Sequence, residues 1–183
     1  HSVTNIGLAA VSGCSSLTNM VLPFVGSQRG NTGSNTALFG YVFGSTSYDG
    51  GQKTAQYHSS SYSTYYIPSS LKSVAISDET ILGYGAFDGC SMLETISLPP
   101  TLTKANTYAF RNCTGLKGVY ISDLDAWWNV TFASTDANPL YYAKCLYVDG
   151  ESVGDVTIPD TIGNIVPYAF YNCTNVTSVT IPS

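Results

Sequence analysis

The sequence is poor in charged residues. Only 10% of its 183 residues are Asp, Glu, Lys or Arg, whereas about a quarter is usual for a soluble domain. Seven Lys and Arg against twelve Asp and Glu give a net charge of −5, and the basic residues form no cluster. Such a chain lacks the positive surface with which proteins bind nucleic acid or anionic membranes. It also has no apolar run of membrane-spanning length, so we expect neither nucleic-acid binding nor membrane insertion by this segment.

Residues that build catalytic and metal sites are equally scarce. One of the two histidines is His1, and the other, His58, lies in a Ser/Tyr-rich tract where a solvated loop position is a simpler interpretation than a catalytic base. No Cys/His cluster has zinc spacing, and no calcium-binding or phosphate-binding loop is present. Cys145 could be a reactive thiol, although its apolar neighbours favour a small buried residue. We therefore predict no enzyme activity, cofactor or metal, and a hydrolase is disfavoured because acid and base groups do not converge.

One motif recurs along the chain. The pattern Ala-Phe-x-(Gly/Asn)-Cys-(Ser/Thr)-x-(Leu/Val) occurs at residues 86–93, 109–116 and 169–176, with a blurred copy at 10–17. Successive copies can be 23 residues apart (109 − 86 = 23), a period in the range of leucine-rich repeats. Each copy leads into a segment such as Leu-x-x-Val-x-Ile, whose last two apolar residues share one face of a strand. One unit cannot bury that face alone, so stacked repeats with a continuous core are predicted.

Two positions inside the motif carry conformational information. The residue before each cysteine is Gly13, Gly89, Asn112 or Asn172; Gly and Asn tolerate a left-handed backbone, which often ends a short helical turn. The cysteines themselves occupy equivalent positions, and stacked strands would hold their side chains parallel rather than converging. We therefore predict free, buried thiols that behave as small apolar residues. The four are Cys14, Cys90, Cys113 and Cys173.

A strand-ending Leu-Pro or Ile-Pro completes the pattern, at 98–99, 158–159 and 181–182. With the Ala-Phe-x-x-Cys copies, it resembles the repeat of the BspA-type leucine-rich repeat proteins over most of the chain. The resemblance implies an α/β fold: a right-handed leucine-rich-repeat solenoid with one short parallel strand per repeat and short helical turns on the return side. It also implies a bacterial protein that is extracellular or on the cell surface and works in adhesion and recognition. It supplies no catalytic residues.

The whole chain, residues 1–183, is predicted to be a single leucine-rich-repeat domain and a fragment of a longer array, with irregular insertions near 24–66 and 122–152. In the first insertion, Val42-Phe43 is interpreted as a degenerate Ala-Phe, and the tract 59–66 as a surface excursion. In the second, 123–129 reads as a short helix capped by Ser122 or Asp123, and 138–143 as a further helical turn. Asp149-Gly150 predicts a hairpin.

Aromatic residues are the main functional signal, since the chain has 14 Tyr and 2 Trp. One hypothesis is an adhesion module that binds a protein partner through its concave face or its insertions. The alternative is a glycan-binding module that uses exposed aromatic rings of the insertions. A simpler role for at least one of the two Trp is to pack where the repeat lacks its Phe. The outward residues of the strands are mostly small or hydroxylic. The candidate partner-binding residues are Tyr62, Tyr65, Tyr66, Trp128, Tyr141 and Tyr120.

Overall fold

A computed structural model describes residues 3–182 of the chain. This part contains many short strands and only two α-helices, α1 (Leu124–Trp127) and α2 (Leu140–Ala143). Three 3-10 helices lie at Asn35–Ala37, Phe39–Val42 and Thr135–Ala137. The strands are β1 (Asn19–Leu22), β2 (Gly51–His58), β3 (Ser61–Pro68), β4 (Ser73–Ile76), β5 (Ile81–Leu82), β6 (Thr95–Ser97), β7 (Lys104–Ala105), β8 (Gly118–Ile121), β9 (Thr131–Phe132), β10 (Leu146–Val148), β11 (Glu151–Ser152), β12 (Asp155–Thr157) and β13 (Ser178–Thr180).

The main sheet has six strands in the order β1-β4-β6-β8-β10-β11. Its first five strands are parallel, and the ladder joins the second apolar position of successive repeats, with Val74 paired to Ile96 and Ile96 to Val119. Those three side chains are buried, which confirms the predicted strand phase. Strand β11 returns antiparallel after Asp149 and Gly150, both with positive φ, so the predicted hairpin is confirmed as well.

The return side differs in part from the predicted short helical turns. Strands β5, β7 and β9 form a second parallel sheet that the sequence did not predict. The Ala-Phe segments are runs of hydrogen-bonded turns rather than helices: the N–H groups of Ala86, Asp88 and Cys90 each bond to the carbonyl three residues earlier. The physical reason is a second left-handed residue four positions before the predicted one, which interrupts any helical run. These extra left-handed residues are Ala9, Gly85, Tyr108 and Tyr168.

The left-handed residue before each cysteine is confirmed in all four copies. The φ angles are 78° at Gly13, 74° at Gly89 and 60° at both Asn112 and Asn172. In the copy at 86–93 the additional left-handed position is also a glycine, Gly85. A Cβ on Gly85 would lie 1.9 Å from the carbonyl oxygen of Tyr57. Only glycine therefore lets the backbone of β2 come this close.

Stacked phenylalanines fill the interior between the sheets. The rings of Phe87 and Phe110 are parallel with centroids 5.2 Å apart, and Phe39 packs on Phe87 at 4.8 Å. The N–H of Phe39 donates to the Ala86 carbonyl (2.8 Å), just as the N–H of Phe87 donates to that of Ala109 (2.7 Å). Leu38-Phe39 therefore takes the Ala-Phe position toward the copy at 86–93. Toward the copy at 10–17 the predicted Val42-Phe43 takes it, since the Val11 N–H donates to the Val42 carbonyl (2.9 Å). The 3-10 helix Phe39–Val42 packs Phe43 against the edge of the Phe39 ring.

Strands β2 and β3 form a hairpin that packs against the repeats. Gln56 is fully buried; its Oε1 accepts from the Gly40 N–H (2.6 Å), and its Nε2 donates to the carbonyls of Ala86 (3.3 Å) and Asp88 (3.2 Å). On the other strand of the hairpin, β3, the side chain of Tyr65 is also buried. The prediction of a surface excursion at 59–66 is confirmed for residues 59–62, which are exposed, but was wrong for Tyr65, because its place in β3 faces the core once the two strands pair.

Residues 122–148 supply a further strand to the main sheet, since Leu146 of β10 pairs with Val119. Both predicted helical turns are present, and the Asp123 carboxylate caps α1 by accepting the Ala126 N–H (3.0 Å). The indole rings of Trp127 and Trp128 are both buried. Trp128 packs on Phe170 with centroids 4.7 Å apart, so the tryptophans do fill the interior where this repeat lacks its Phe.

All five cysteines are free thiols. Cys90 and Cys113 are fully buried, as predicted. The prediction of burial was wrong for Cys14, which is exposed, and Cys173 is only half-buried. The reason is that these two residues belong to the outermost motif copies of the described chain, which have a neighbouring copy on one side only. Cys145, outside the motif, is half-buried.

Candidate partner-binding surfaces

The first tyrosine cluster consists of Tyr57, Tyr62, Tyr84 and Tyr108 around Arg111. Ring centroids lie 4.8 Å apart for Tyr57 and Tyr62, 5.5 Å for Tyr57 and Tyr84, and 5.3 Å for Tyr84 and Tyr108. The guanidinium carbon of Arg111 lies 4.2 Å from the Tyr108 ring centroid and 5.4 Å from that of Tyr57, within cation–π range. Tyr62 is 60% exposed. The hairpin and two successive repeats thus build one aromatic surface.

Arg111 is held in place by a buried carboxylate. Its Nε donates to Oδ1 of Asp88 (3.0 Å) and its Nη2 to Oδ2 of the same residue. Asp88 is 1% exposed and also accepts the Tyr57 backbone N–H (3.1 Å). The hydrogen bonds that Arg111 donates to the Asp88 carboxylate raise the pKa of Arg111 above its ordinary value. The cluster therefore presents a fixed guanidinium cation whose charge is neutralised by the buried Asp88 carboxylate. Because Asp88 also bonds to Tyr57, the same contacts hold the hairpin against the repeats.

A second tyrosine cluster, Tyr141, Tyr142, Tyr168 and Tyr171, lies on the last repeats. Tyr141 and Tyr171 are parallel with centroids 5.9 Å apart, and Tyr141 meets Tyr142 edge-on at 4.8 Å. Tyr168 and Tyr171 are 41% and 38% exposed. The Tyr142 hydroxyl accepts the Asn112 N–H (2.9 Å), and burial raises the pKa of Tyr142. This cluster contains no cation over its rings among the residues that the structure describes.

The third surface is the outer face of the main sheet, here called the sheet face. Tyr120 and Tyr147 stack across β8 and β10 with centroids 4.7 Å apart and planes 9° from parallel. Beside them, Thr95 Oγ1 donates to Ser73 Oγ (2.9 Å). A groove of about 310 Å³ runs between these groups, lined by Ser73, Thr95, Ser97 and Tyr120. Its lining carries no charged side chain.

The structure places the six candidate partner-binding residues in different environments. Trp128 is 1% exposed and Tyr65 is 3% exposed, so neither ring can contact a partner in this structure; this corrects their selection. Tyr65 faces the core because its place in β3 points inward, and its hydroxyl donates to the Asn35 carbonyl (3.0 Å). Tyr62 is exposed in the first cluster. The remaining three are half-buried: Tyr141 in the second cluster, Tyr120 on the sheet face, and Tyr66 beside Tyr48.

Several residues of these surfaces were missed by sequence reasoning. Tyr108 and Tyr168 each directly precede the repeat Ala, and Arg111 and Tyr171 each follow the repeat Phe. Equivalent positions of stacked repeats come together in space, so aligning the copies would have grouped them. Tyr57 and Tyr84 could not be found in this way, because the hairpin brings them together. Tyr147 was missed because β10 was not recognised as a strand of the main sheet.

Among residues 3–182, the histidine His58 contacts two serine hydroxyl groups. His58 Nε2 lies 3.0 Å from Ser63 Oγ and 3.3 Å from Ser61 Oγ, at the exposed end of the hairpin. Within residues 3–182, no group of three or more His, Cys, Asp and Glu is placed to hold a metal ion. No helix in the same range is long and apolar enough to span a membrane.

Parallel strands in chain order, stacked phenylalanines and a left-handed Gly or Asn in each turn define a leucine-rich-repeat protein. The chain matches the family model for the BspA type leucine rich repeat region in six copies, at residues 54–138 and 142–183. These segments are more than half of the chain, which therefore belongs to the BspA-type leucine-rich repeat family. Domains of this kind are generally non-catalytic interaction domains. No curated protein and no solved structure gave a match.

Proposed function

We propose that this protein is a non-catalytic recognition and adhesion module that binds a protein partner, secreted or on a bacterial cell surface. The observation that carries the proposal is the first tyrosine cluster. Tyr and Arg are enriched among the residues that dominate binding energy at protein interfaces. Here they form one continuous patch in which the outermost ring, Tyr62, is 60% exposed. The family supports an interaction role without identifying the partner.

The cluster is also organised before binding. Asp88 fixes the Arg111 guanidinium, and the four tyrosine rings restrain one another. Ordering flexible side chains is one of the main costs of association, about 0.5–1.5 kcal/mol for each immobilised side chain. Side chains that are already fixed avoid much of this cost. A protein surface that offers acceptors and apolar area would gain from both the rings and the guanidinium.

The proposal includes the architecture that presents this surface. Residues 1–183 would form one domain, a right-handed solenoid in which each repeat places its turn beside the turn of the previous one. Such a solenoid displays equivalent positions as an extended, regular surface. The first and second tyrosine clusters would then be parts of one side of the domain. A glycan site built on the tryptophans is not favoured, because both indole rings are buried.

The proposal can be tested against a panel of purified extracellular-matrix proteins. Binding of the domain to each immobilised protein is measured by biolayer interferometry. Tyr62→Ala should weaken binding to a panel protein at least tenfold, because the ring is the exposed apex of the cluster. Leu8→Ala, a change to a similarly exposed residue (58%) outside the three candidate surfaces, is the matched control and should bind like the wild type. Equal binding by wild type and Tyr62→Ala, or no binding to any panel protein, would contradict the proposal.

A further inference from the structure

The groove on the sheet face has a chemistry unlike that of the tyrosine clusters. Its floor is formed by Thr95 and Ser97 of β6, one wall by Tyr120 of β8, and its far side by Ser73 of β4. Tyr120 pairs with Ser97 in the strand register. One face of the Tyr120 ring is covered by Tyr147, so the opposite face is directed to the groove. The groove therefore combines one flat aromatic wall with a row of hydroxyl groups.

Gly118 allows the tyrosine pair to take this position. A Cβ on Gly118 would lie 3.1 Å from the Tyr120 ring and 3.2 Å from the Tyr147 ring. Both rings therefore lie along the strand, over the glycine, instead of standing free above the sheet. The wall of the groove is restrained by this stack, which suits it to hold a ring-shaped ligand in one orientation.

The hydroxyl groups keep hydrogen-bonding capacity for a ligand. Thr95 Oγ1 donates to Ser73 Oγ, which leaves the Ser73 hydroxyl hydrogen and lone pairs on both oxygens. Ser97 Oγ makes no hydrogen bond to another residue in the described part of the chain, and its side chain is partly exposed. Each hydroxyl can both donate and accept, which matches the hydroxyl groups of a sugar. The main-chain groups of β4, β6 and β8 are already paired within the sheet, so they offer nothing to an extended peptide backbone.

The distribution of charged residues around the groove also favours a neutral ligand. Three charged residues directly precede strands β4, β6 and β8, where Lys117 Nζ lies 2.7 Å and Lys72 Nζ 3.8 Å from the Glu94 carboxylate. These three side chains pair with one another outside the groove lining. An occupant of the groove therefore meets an uncharged surface. A second depression of about 410 Å³ shares Ser97 and Tyr120 with the groove and extends toward Asp149.

We infer that this groove binds neutral sugar rings of a polysaccharide, with one ring stacked on Tyr120 and its hydroxyls bonded to Ser73, Thr95 and Ser97. Aromatic side chains offer a large flat contact surface for such a ring. The groove lies at the small end of the range for ligand sites, about 300–1,000 Å³, which suits a short stretch of sugar rather than a folded protein. The second depression, which continues past Tyr120 toward Asp149, provides space for a second sugar ring next to the first. This site is independent of the tyrosine cluster that carries the proposed protein-binding function.

The test is affinity gel electrophoresis of the folded domain in gels that contain soluble mannan, xylan, mixed-linkage β-glucan or galactomannan. At least one of these neutral polysaccharides should retard the wild type. Tyr120→Ala should abolish the retardation, and Ser97→Ala should reduce it at least threefold. Tyr120→Phe keeps the ring and should retain most of the binding, which separates loss of stacking from loss of folding. Tyr62→Ala should be retarded like the wild type, so failure here is distinguishable from failure of the protein-binding proposal.

Four results would overturn the inference. One is the absence of retardation by every neutral polysaccharide in the panel. Another is equal retardation of wild type and Tyr120→Ala, which would place sugar binding elsewhere. The third is tighter binding of hyaluronate than of any neutral polymer. The fourth is binding of a proline-rich peptide that Tyr120→Ala removes while no polysaccharide binds. The last outcome would assign the groove to a peptide.

Discussion

The inner and outer copies of the repeat motif carry nearly the same residues but have different environments. In the inner copies, at 86–93 and 109–116, the Ala, Phe and Cys side chains are at most 1% exposed. In the outer copies, at 10–17 and 169–176, Cys14 is exposed, and Phe170 and Cys173 are half-buried. The backbone of all four turns is alike, with the same pair of left-handed residues. Local sequence thus sets the conformation of a turn, whereas neighbouring elements set how much of it is buried.

The inner copies owe their burial to more than the adjacent repeats. The hairpin β2–β3 lies against the copy at 86–93, where Gln56 bonds to Ala86 and Asp88 and the Tyr57 N–H bonds to the Asp88 carboxylate. Strands of two other repeats flank the same copy in the main sheet. An outer copy has fewer such contacts within the described chain. The comparison therefore predicts that equal substitutions have unequal costs in the two settings.

The largest difference is expected for the repeat phenylalanine. Phe110→Ala removes a ring stacked on Phe87 in a dry interior and should lower the free energy of unfolding by about 3–5 kcal/mol through the cavity it leaves. Phe170→Ala, at the equivalent position of an outer copy, should cost about half as much because solvent already reaches the ring. Urea unfolding followed by circular dichroism measures both losses. Equal losses would show that burial does not distinguish the two copies.

The hairpin can be tested with two glutamines of the same strand. Gln56→Ala leaves the Gly40 N–H and the Asp88 carbonyl without this partner, whereas the Ala86 carbonyl still accepts the Phe39 N–H. Each such buried group costs about 1–3 kcal/mol, so we expect a total loss of about 3 kcal/mol. Gln52 makes a single side-chain bond, from Nε2 to Ser91 Oγ (3.0 Å), and is only partly buried. Gln52→Ala is therefore the matched control, with an expected loss below about 1 kcal/mol. Thermal and urea unfolding of both variants would measure the difference, and similar losses would argue that the hairpin is a loose excursion.

The smallest effect concerns the cysteines and pH. Burial raises the pKa of the Cys90 and Cys113 thiols above the ordinary value, so the folded protein keeps both protonated while the unfolded chain ionises above about pH 8.5. Their contribution to stability is complete below that pH and is lost as the pH rises toward the folded pKa values. The free energy of unfolding should be about 1.5 kcal/mol lower at pH 9 than at pH 7. Urea unfolding at the two pH values gives this difference.

Two variants isolate the contribution of the buried thiols. In Cys90→Ala/Cys113→Ala the decrease between pH 7 and pH 9 should be smaller by that amount, whatever the variant loses in overall stability. In Cys14→Ala the decrease should match the wild type, since Cys14 is exposed. Native-state labelling with a thiol reagent should likewise modify Cys14 and spare Cys90 and Cys113. Rapid labelling of Cys90 would contradict the burial of the inner copies.

Periodicity in the sequence was enough to predict the repeated parallel strands, their inward residues such as Val74 and Ile96, and the left-handed turns before each cysteine. These features depend on spacings of a few residues, which steric rules and strand alternation translate directly into structure. The same applies to the Asp123 cap and the Asp149-Gly150 hairpin. The family followed from the same local pattern.

Only the tertiary structure decided where the irregular residues go. Gln56 reads as a polar loop residue, yet its partners Ala86 and Asp88 lie 30 and 32 positions away and draw it into the core. Trp128 is buried because Phe170, in the following repeat, packs on it. Arg111, Tyr57 and Tyr108 likewise form one surface only after the hairpin docks. Contacts between residues that are far apart in the sequence depend on how whole elements pack. A short sequence pattern does not determine that packing.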